Sequence, residues 1–193
     1  KKKYSHSDLQ KLISNYYKST LLNMKLKNEV YEINECVNCK GLFQKFIPDD
    51  DFSNFLYNNL ISANKSIKKK SDYLKKNQSK LNEDSSLISS LYKKKTNNIK
   101  ILEFGCGWGF WSKFMKSKLF NITTCEFSIK RHDHLIKNKI SNYRNLNEIK
   151  GRFDFIYSEE VLEHITSPLD TLKQLKGLLS KSGFMLHRFP STF

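Results

Sequence analysis

At 193 residues the chain can bury one sizeable core and a small appendage, whereas two full domains would be tight. Its formal charge of +15 comes from 34 basic and 19 acidic residues, a balance that often points to nucleic acid or an anionic surface. Only Arg131, Arg144, Arg152 and Arg188 are arginine, and phosphate and base readers favour arginine forks, so the lysines read as solvated faces and a nucleic-acid partner is not expected.

Ser7 and Gln10 form a capping-box pair, and Leu9, Leu12, Ile13, Tyr16 and Tyr17 follow helical spacing behind them. Leu21 to Lys27 and Val30 to Ile33 alternate apolar and polar residues, which predicts two short strands. Cys36-Val37-Asn38-Cys39 is a C-x-x-C knuckle with only His6 upstream as a further donor. Zinc takes about four ligands, so no stoichiometric zinc is expected, and elemental analysis finding about one zinc per chain would overturn that. From Asp51 to Asn98 the chain is lysine-rich and free of Gly and Pro. Phe52, Phe55, Leu56 and Leu60, then Leu74, Leu81, Leu87 and Leu91, predict two helices leading into a sheet.

Ile99 to Phe104 is an apolar run of strand length containing one acid, Glu103. Gly105, Gly107 and Gly109 follow at every second position, and then comes a helix-compatible run from Phe110 to Leu119. Strand, glycine turn and helix make a nucleotide site in open α/β sheets, because glycines let a ligand approach the backbone. A dinucleotide fingerprint would read G-x-G-x-x-G; here the third glycine comes one residue early. A carboxylate two residues before the first glycine would repel a pyrophosphate, yet it suits a cationic ligand. Phe120 to Cys125 predicts the next strand, ending in Glu126, 17 positions after Gly109.

The segment Glu103 to Gly109, with Glu126 behind it, resembles the first motifs of class I S-adenosylmethionine-dependent methyltransferases. The resemblance implies a Rossmann-like, doubly wound α/β sheet and S-adenosylmethionine as cofactor. It also implies a cofactor site drawn from Glu103, Phe104, Gly105, Cys106, Gly107, Gly109, Glu126, Phe127, Ser158 and Glu159, with Glu126 accepting both ribose hydroxyls. The stretch from Cys36 through Phe46 and Pro48 to Tyr57 is similar to the tail of the zinc-ribbon segment ahead of some sugar-type family members, here without its first cysteine pair.

Beyond Glu126 the β-α pattern continues. Ser128 is placed to cap a helix carrying Ile129, Leu135 and Ile136, and a weak strand is predicted within Ile140 to Leu146. Phe153 to Ser158 predicts a fourth strand, and Ser167-Pro168 opens a helix with Leu169, Leu172, Leu175, Leu178 and Leu179. Gly183 is expected to end that helix, with Phe184 to Phe189 as the fifth strand. A complete family member adds two more strands, so the chain is expected to be truncated after its fifth strand. The expected organisation is an α+β appendage over 1–50, a helical linker over 51–98 and the core over 99–193.

Phe153-Asp154, Leu162-Glu163-His164 and Pro168 are similar to the F-D … L-E-H … P signature of small-molecule O- and C-methyltransferases. Methyl transfer to a hydroxyl or carbon acid requires removal of a proton, and imidazole titrates near neutrality beside a stabilising carboxylate. In similar sugar C-methyltransferases the matching Glu-His pair does acid/base work, which implies a catalytic role for His164 and Glu163. Glu160, Glu163 and His164 also match an E-x-x-E-H pattern read as a magnesium site in ubiquinone-pathway members, and a loop-shaping role for His164 stands as the third reading.

The expected function is methyl transfer to a small-molecule, glycan or lipid-linked acceptor, the alternative being an inactive or truncated cofactor-binding module. Nucleic-acid amino methylation would carry an N/D-P-P-aromatic tetrad where this chain has Ser158-Glu159-Glu160-Val161. No apolar run reaches the ~18 residues of a membrane span, and the basic N-terminus has no apolar leader segment behind it. With Cys106 and Cys125 inside core elements, a reducing cytoplasmic setting is expected.

Overall fold

The computed structural model describes residues 2–4, 8, 11, 31–56, 59 and 61–190. The predicted capping box at Ser7, the stripe from Leu9 to Tyr17 and the strand over Leu21 to Lys27 lie outside the described residues, apart from the single positions 8 and 11. The chain divides into two compact units, Lys1–Ser62 and Ala63–Phe193.

In the first unit, β1 (Lys2–Tyr4), β2 (Tyr31–Glu35) and β3 (Leu42–Gln44) form an antiparallel sheet in that order. The C-x-x-C knuckle is the β2–β3 turn. It is closed by Cys36 N–H on the Gly41 carbonyl at 2.8 Å and Lys40 N–H on the Cys36 carbonyl at 3.0 Å. Helix α1 (Asp50–Phe55) is capped by Asp49, whose carboxylate accepts the Phe52 N–H at 2.7 Å.

In the second unit, α2 (Ala63–Lys76) and α3 (Gln78–Leu91) precede a parallel five-stranded sheet. The stretch read as two helices over 51–98 therefore holds three, because Asn77 interrupts the last. Its side-chain amide donates to the Tyr73 carbonyl at 2.7 Å, competing with the backbone bond that would continue the helix. The elements that follow are β4 (Lys100–Phe104), α4 (Phe110–Ser117), β5 (Asn121–Cys125), α5 (Ile129–Lys137), β6 (Asn142–Tyr143), β7 (Phe153–Glu159), α6 (Pro168–Leu178) and β8 (Leu179–Arg188). The sheet order is β6-β5-β4-β7-β8, so the chain runs outward one way, returns past β4 and runs outward the other way. The reversal point lies between β4 and β7, and ligands of such sheets bind at the carboxyl ends of the strands there.

Both faces of the sheet are covered. Ile99, Ile101, Phe155 and Tyr157 pack with Leu74, Leu81 and Ile88 of α2 and α3 and with Trp111 and Met115 of α4. On the other face Leu102, Phe104, Cys125 and Ile156 pack with Leu162 and with Leu175 of α6. Two-sided burial is why β4 and β7 read as nearly unbroken apolar runs. Ser128 and Ser167 hold the N-cap positions of α5 and α6, but neither side chain makes a capping bond.

The last strand differs most from expectation. Gly183 does not end α6; that helix stops at Leu178 and β8 starts at once, with Gly183 inside it. Phe153 pairs with Leu179 but Phe155 with Phe184, so β8 bulges between those registers. A Cβ at Gly183 would stand 2.9 Å from the Asp154 carbonyl oxygen and 2.8 Å from Leu179, which is why the bulge takes a glycine.

Candidate functional site

The carboxyl ends of β5, β4 and β7 deliver the predicted residues to one edge. Glu103 and Phe104 close β4, Cys125 precedes Glu126 at the end of β5, and Ser158 and Glu159 close β7. The loop Gly105–Gly109 crosses that edge and becomes the N-cap of α4.

Within the loop, the Gly107 N–H donates to the Glu126 carboxylate at 2.8 Å, while the other carboxylate oxygen accepts the Ser128 N–H at 3.0 Å. Arg131 approaches the same group at 3.6 Å. Glu126 is thus buried but clamped by the start of α5 and by the glycine loop. Gly107 has φ +58°, and no atom lies within 4 Å of the point where a Cβ would stand. Its left-handed backbone explains the glycine, and the space above it opens away from the core. At Gly105 a Cβ would stand 2.4 Å from a Val161 methyl. That close approach seats the loop following β7 directly on the glycine turn.

Glu103 points the other way. Strand alternation puts it on the α4 side with Ile101, where it is buried and accepts a hydrogen bond from the Ser112 hydroxyl. Burial pushes its carboxyl up to about 8, outweighing the opposing influence of Ser112 and of Lys70. The sign follows from that direction. A carboxyl raised above its unfolded value favours folding fully only below about pH 4.5, and the contribution is lost as pH rises toward 8. The unliganded protein is therefore expected to lose stability over that window by up to about 1.4 kcal/mol per unit from this group. Melting of Glu103→Gln against the parent across pH 4 to pH 8 checks it: the variant should gain steadily on the parent as the pH rises.

Glu159, also at this edge, is held by Lys70 of α2 at 3.1 Å and more closely by Lys80 of α3. Burial acts to raise its carboxyl, but the two lysines outweigh it and hold the group low. The Trp108 indole N–H donates to the Ser66 hydroxyl at 3.1 Å, tying α2 to the glycine loop. The Trp108 ring lies edge-on to His134 with the Arg131 guanidinium 5.7 Å from its centroid.

The other predicted residues divide between the edge and the core. Phe127 is partly exposed and packs edge-to-face on buried Phe104, so Phe104 sits beneath the site. The Cys106 side chain is buried among Leu135 and Ile140. The Ser158 hydroxyl faces the Nδ1 of His187 at 2.7 Å, and Nε2 of that imidazole is buried with no partner among the described residues. His164 and Glu163 lie on a short helical turn, Leu162–His164, anchored by buried Leu162. His164 is 58% exposed, with Nε2 4.0 Å from the Glu163 carboxylate. Glu160 sits at φ +54°, unusual for a residue with a Cβ, and its N–H is fixed on the Arg188 carbonyl at 3.0 Å. Among the described residues no three His, Cys, Asp or Glu side chains gather for a metal, the Glu160, Glu163 and His164 trio included.

Sequence reasoning missed Lys70, Lys80, Ser112 and His187. One signal was legible: Asp84 interrupts the apolar row Leu81, Ile88 on α3, and an acid within a buried stripe marks a polar network.

Residues 73–192 match a family model described as a methyltransferase domain, and the chain belongs to that family. By family the chain carries a methyltransferase domain, and by fold that domain is a doubly wound, Rossmann-like α/β sheet. It is similar to the ubiquinone biosynthesis O-methyltransferase of Pelagibacter ubique (strain HTCC1062), with 31% identity over 102 residues covering 48% of this chain and 42% of the relative. The chain thus spans less than half the length of that curated relative. Among solved structures it is similar to the plantazolicin methyltransferase BpumL in complex with SAH and a triazolic desmethylPZN analog. There the TM-score is 0.54 and the identity 18%, covering 70% of this chain and 55% of that one. The pentazolic complex of BpumL gives 0.53 at 19% identity, covering 70% and 56%. At these identities the likeness is one of fold. No helix among the described residues is long and apolar enough to cross a membrane.

Proposed function

We propose that this protein holds S-adenosylmethionine on the glycine loop and transfers its methyl group to an oxygen or carbon of a small-molecule, glycan or lipid-linked acceptor. The observation that carries the proposal is Glu126, clamped by the Gly107 and Ser128 N–H groups at the carboxyl edge beside Glu103. The residues fit the cofactor's chemistry: Glu103 is a buried carboxyl that a cation would stabilise, and Gly107 leaves open space where any side chain would project. The name of the Pelagibacter relative favours an oxygen acceptor.

S-adenosylmethionine supplies a methyl group already activated by its sulfonium. The chain has to orient that group and manage a proton. In our reading Glu126 accepts the ribose hydroxyls, and Glu103 balances the cationic end. Gly105, Gly107 and Gly109 admit the ligand to the backbone, with Phe104, Cys106, Phe127, Ser158 and Glu159 shaping the walls. His164 accepts the acceptor's proton at its imidazole, and Glu163 orients and stabilises the ring. We also propose an appendage over 1–50 distinct from the core over 99–193, the helical stretch 51–98 between them, and a cytoplasmic setting with no nucleic-acid partner.

Calorimetry tests the cofactor assignment. S-adenosylmethionine or S-adenosylhomocysteine should bind and NAD should not; NAD binding equal to or tighter than theirs would end this reading. Glu126→Ala should cost about 1.5–3 kcal/mol of cofactor affinity, the usual result of leaving donors without a partner, and Glu126→Asp should cost less. Unchanged affinity in the alanine variant would put that acid outside the pocket.

A further inference from the structure

Parallel strands gather the segments that precede them at one edge, opposite the site. Those leading into β4, β5, β6 and β7 are 92–100, 116–121, 137–141 and 149–152. Together they hold ten Lys or Arg, all exposed, and no Asp or Glu. The loops at the carboxyl ends of β4, β5 and β7, spanning 103–109, 126–128 and 158–167, hold five Glu and no Lys or Arg. The sheet is thus polarised along its strands, with the site at the negative end. The negative pole of a helix C-terminus accounts for Lys116 in the last turn of α4 and Lys137 in that of α5, but not for the other eight. Among the described residues only Lys94 of the ten meets a carboxylate, that of Asp154 at 2.8 Å.

Helices α4 and α5 end alike. The Leu119 N–H bonds back to the Lys116 carbonyl at 3.0 Å and the Phe120 N–H to that of Met115 at 3.2 Å. The Lys139 N–H bonds to Ile136 at 2.9 Å and the Ile140 N–H to Leu135 at 3.0 Å. Such a turn needs one left-handed residue, usually glycine. Here the position is held by Leu119 at φ +67° and Lys139 at φ +58°. Leu119 is 70% exposed, so neither core packing nor backbone preference explains a leucine there. The Lys116 ammonium donates to the Lys139 carbonyl at 2.8 Å, which brings the two turns together. Two residues past Leu119, Asn121 lines a cavity of about 230 Å³ shared with Lys100, Lys150 and Arg152.

We propose that this amino edge docks on an anionic phospholipid surface, with Leu119 entering the headgroup layer and the cavity receiving one phosphate headgroup. An exposed aliphatic side chain among lysines suits such an interface: the apolar group enters it while the ammonium groups hold the anionic heads. Nine of the ten basic residues are lysine, a point charge on a flexible stem that adapts to mobile headgroups. Nucleic-acid readers use arginine forks and exposed rings that stack on bases. The rings in these four segments are Tyr92, whose hydroxyl donates to the Asp154 carbonyl, and buried Phe120. Docked in this way, the chain keeps its glycine loop and carboxyl edge open to solution.

Cosedimentation with vesicles tests the proposal. The chain should bind vesicles of equal parts phosphatidylglycerol and phosphatidylcholine at about 0.1 M salt, and about 0.5 M salt should release it. Vesicles of phosphatidylcholine alone should not retain it. Lys118→Glu with Lys150→Glu should weaken binding at least about a hundredfold, since each lysine near such a surface is worth about fivefold and reversal counts twice. Lys68→Glu with Lys69→Glu makes the same charge change at exposed positions of α2, and it should weaken binding by less than about fivefold. Leu119→Gly should melt higher than the parent, because glycine fits the left-handed turn, yet bind vesicles about five- to tenfold more weakly. Absence of binding to the anionic vesicles would overturn the proposal. Equal losses in the two double variants would do the same, by reducing the effect to net charge. Parent-like binding by Leu119→Gly would overturn the insertion of that residue. Polyuridylate or polyglutamate held more tightly than the vesicles, charge for charge, would hand the edge to a nucleic acid or an acidic protein instead.

Discussion

Asp84→Ala is expected to destabilise the protein by about 3 kcal/mol, at the low end of the range for breaking a buried ion pair because Arg188 is 29% exposed. Asp84 is 3% exposed and holds three donors: two from Arg188 and the indole N–H of Trp111. Arg188 donates further to the Tyr157 hydroxyl at 2.9 Å, and Tyr157 stacks on Trp111 with ring centroids 4.2 Å apart. The substitution strands a guanidinium and an indole N–H among apolar groups, so the penalty exceeds that of one lost hydrogen bond. Urea unfolding measures it. A companion variant, Asp84→Leu with Arg188→Met, should recover most of the loss, since removing both charges removes the uncompensated one. A loss below about 1 kcal/mol in Asp84→Ala would mean that water solvates Arg188 and that the network does not secure α3 to the sheet.

His164→Ala should lower turnover by about 10²–10⁴-fold, the range for losing a general base, while cofactor affinity stays nearly constant. The measurement requires an identified acceptor. Glu163→Gln should lower turnover less if the carboxylate, 4.0 Å from the imidazole, only orients and stabilises it. Loss of activity on chelation, restored by magnesium and equalled by substituting Glu160, Glu163 or His164, would assign the trio to a metal instead. Turnover within a few-fold of the parent in His164→Ala would remove this residue from the mechanism. His187, whose buried Nε2 has no partner among the described residues, then becomes the next imidazole to examine.

The parts of the site that could be read from the chain are those whose geometry is local. Glu103, the three glycines and Glu126 are placed by a strand, a turn and the next strand, and parallel β4–β5 pairing sets their relative heights from Lys100↔Asn121 to Phe104↔Cys125. The contacts that could not be read join residues far apart in sequence: Lys70 and Lys80 reach Glu159 across 89 and 79 positions, and Arg188 reaches Asp84 across 104. Hydrophobic periodicity tells which face of α2 or α3 is buried, but not which strand end it meets. The same limit explains Gly183. A glycine after a leucine-rich helix carries the signal of a helix stop, and only the distant Asp154 carbonyl reveals that it serves a bulge.

The chain contains two tryptophans, one within the glycine loop and one in the first turn of the helix that follows it. Trp111 lies sealed against Tyr157, while Trp108 stands half-buried between Ser66, His134 and Arg131. All of this chain's indole emission thus originates at the carboxyl edge of the sheet, from one shielded fluorophore and one beside a cation. The molecule carries its own optical probe there: an event that loosens α2 from the loop alters the polarity around Trp108 and leaves Trp111 as an internal reference.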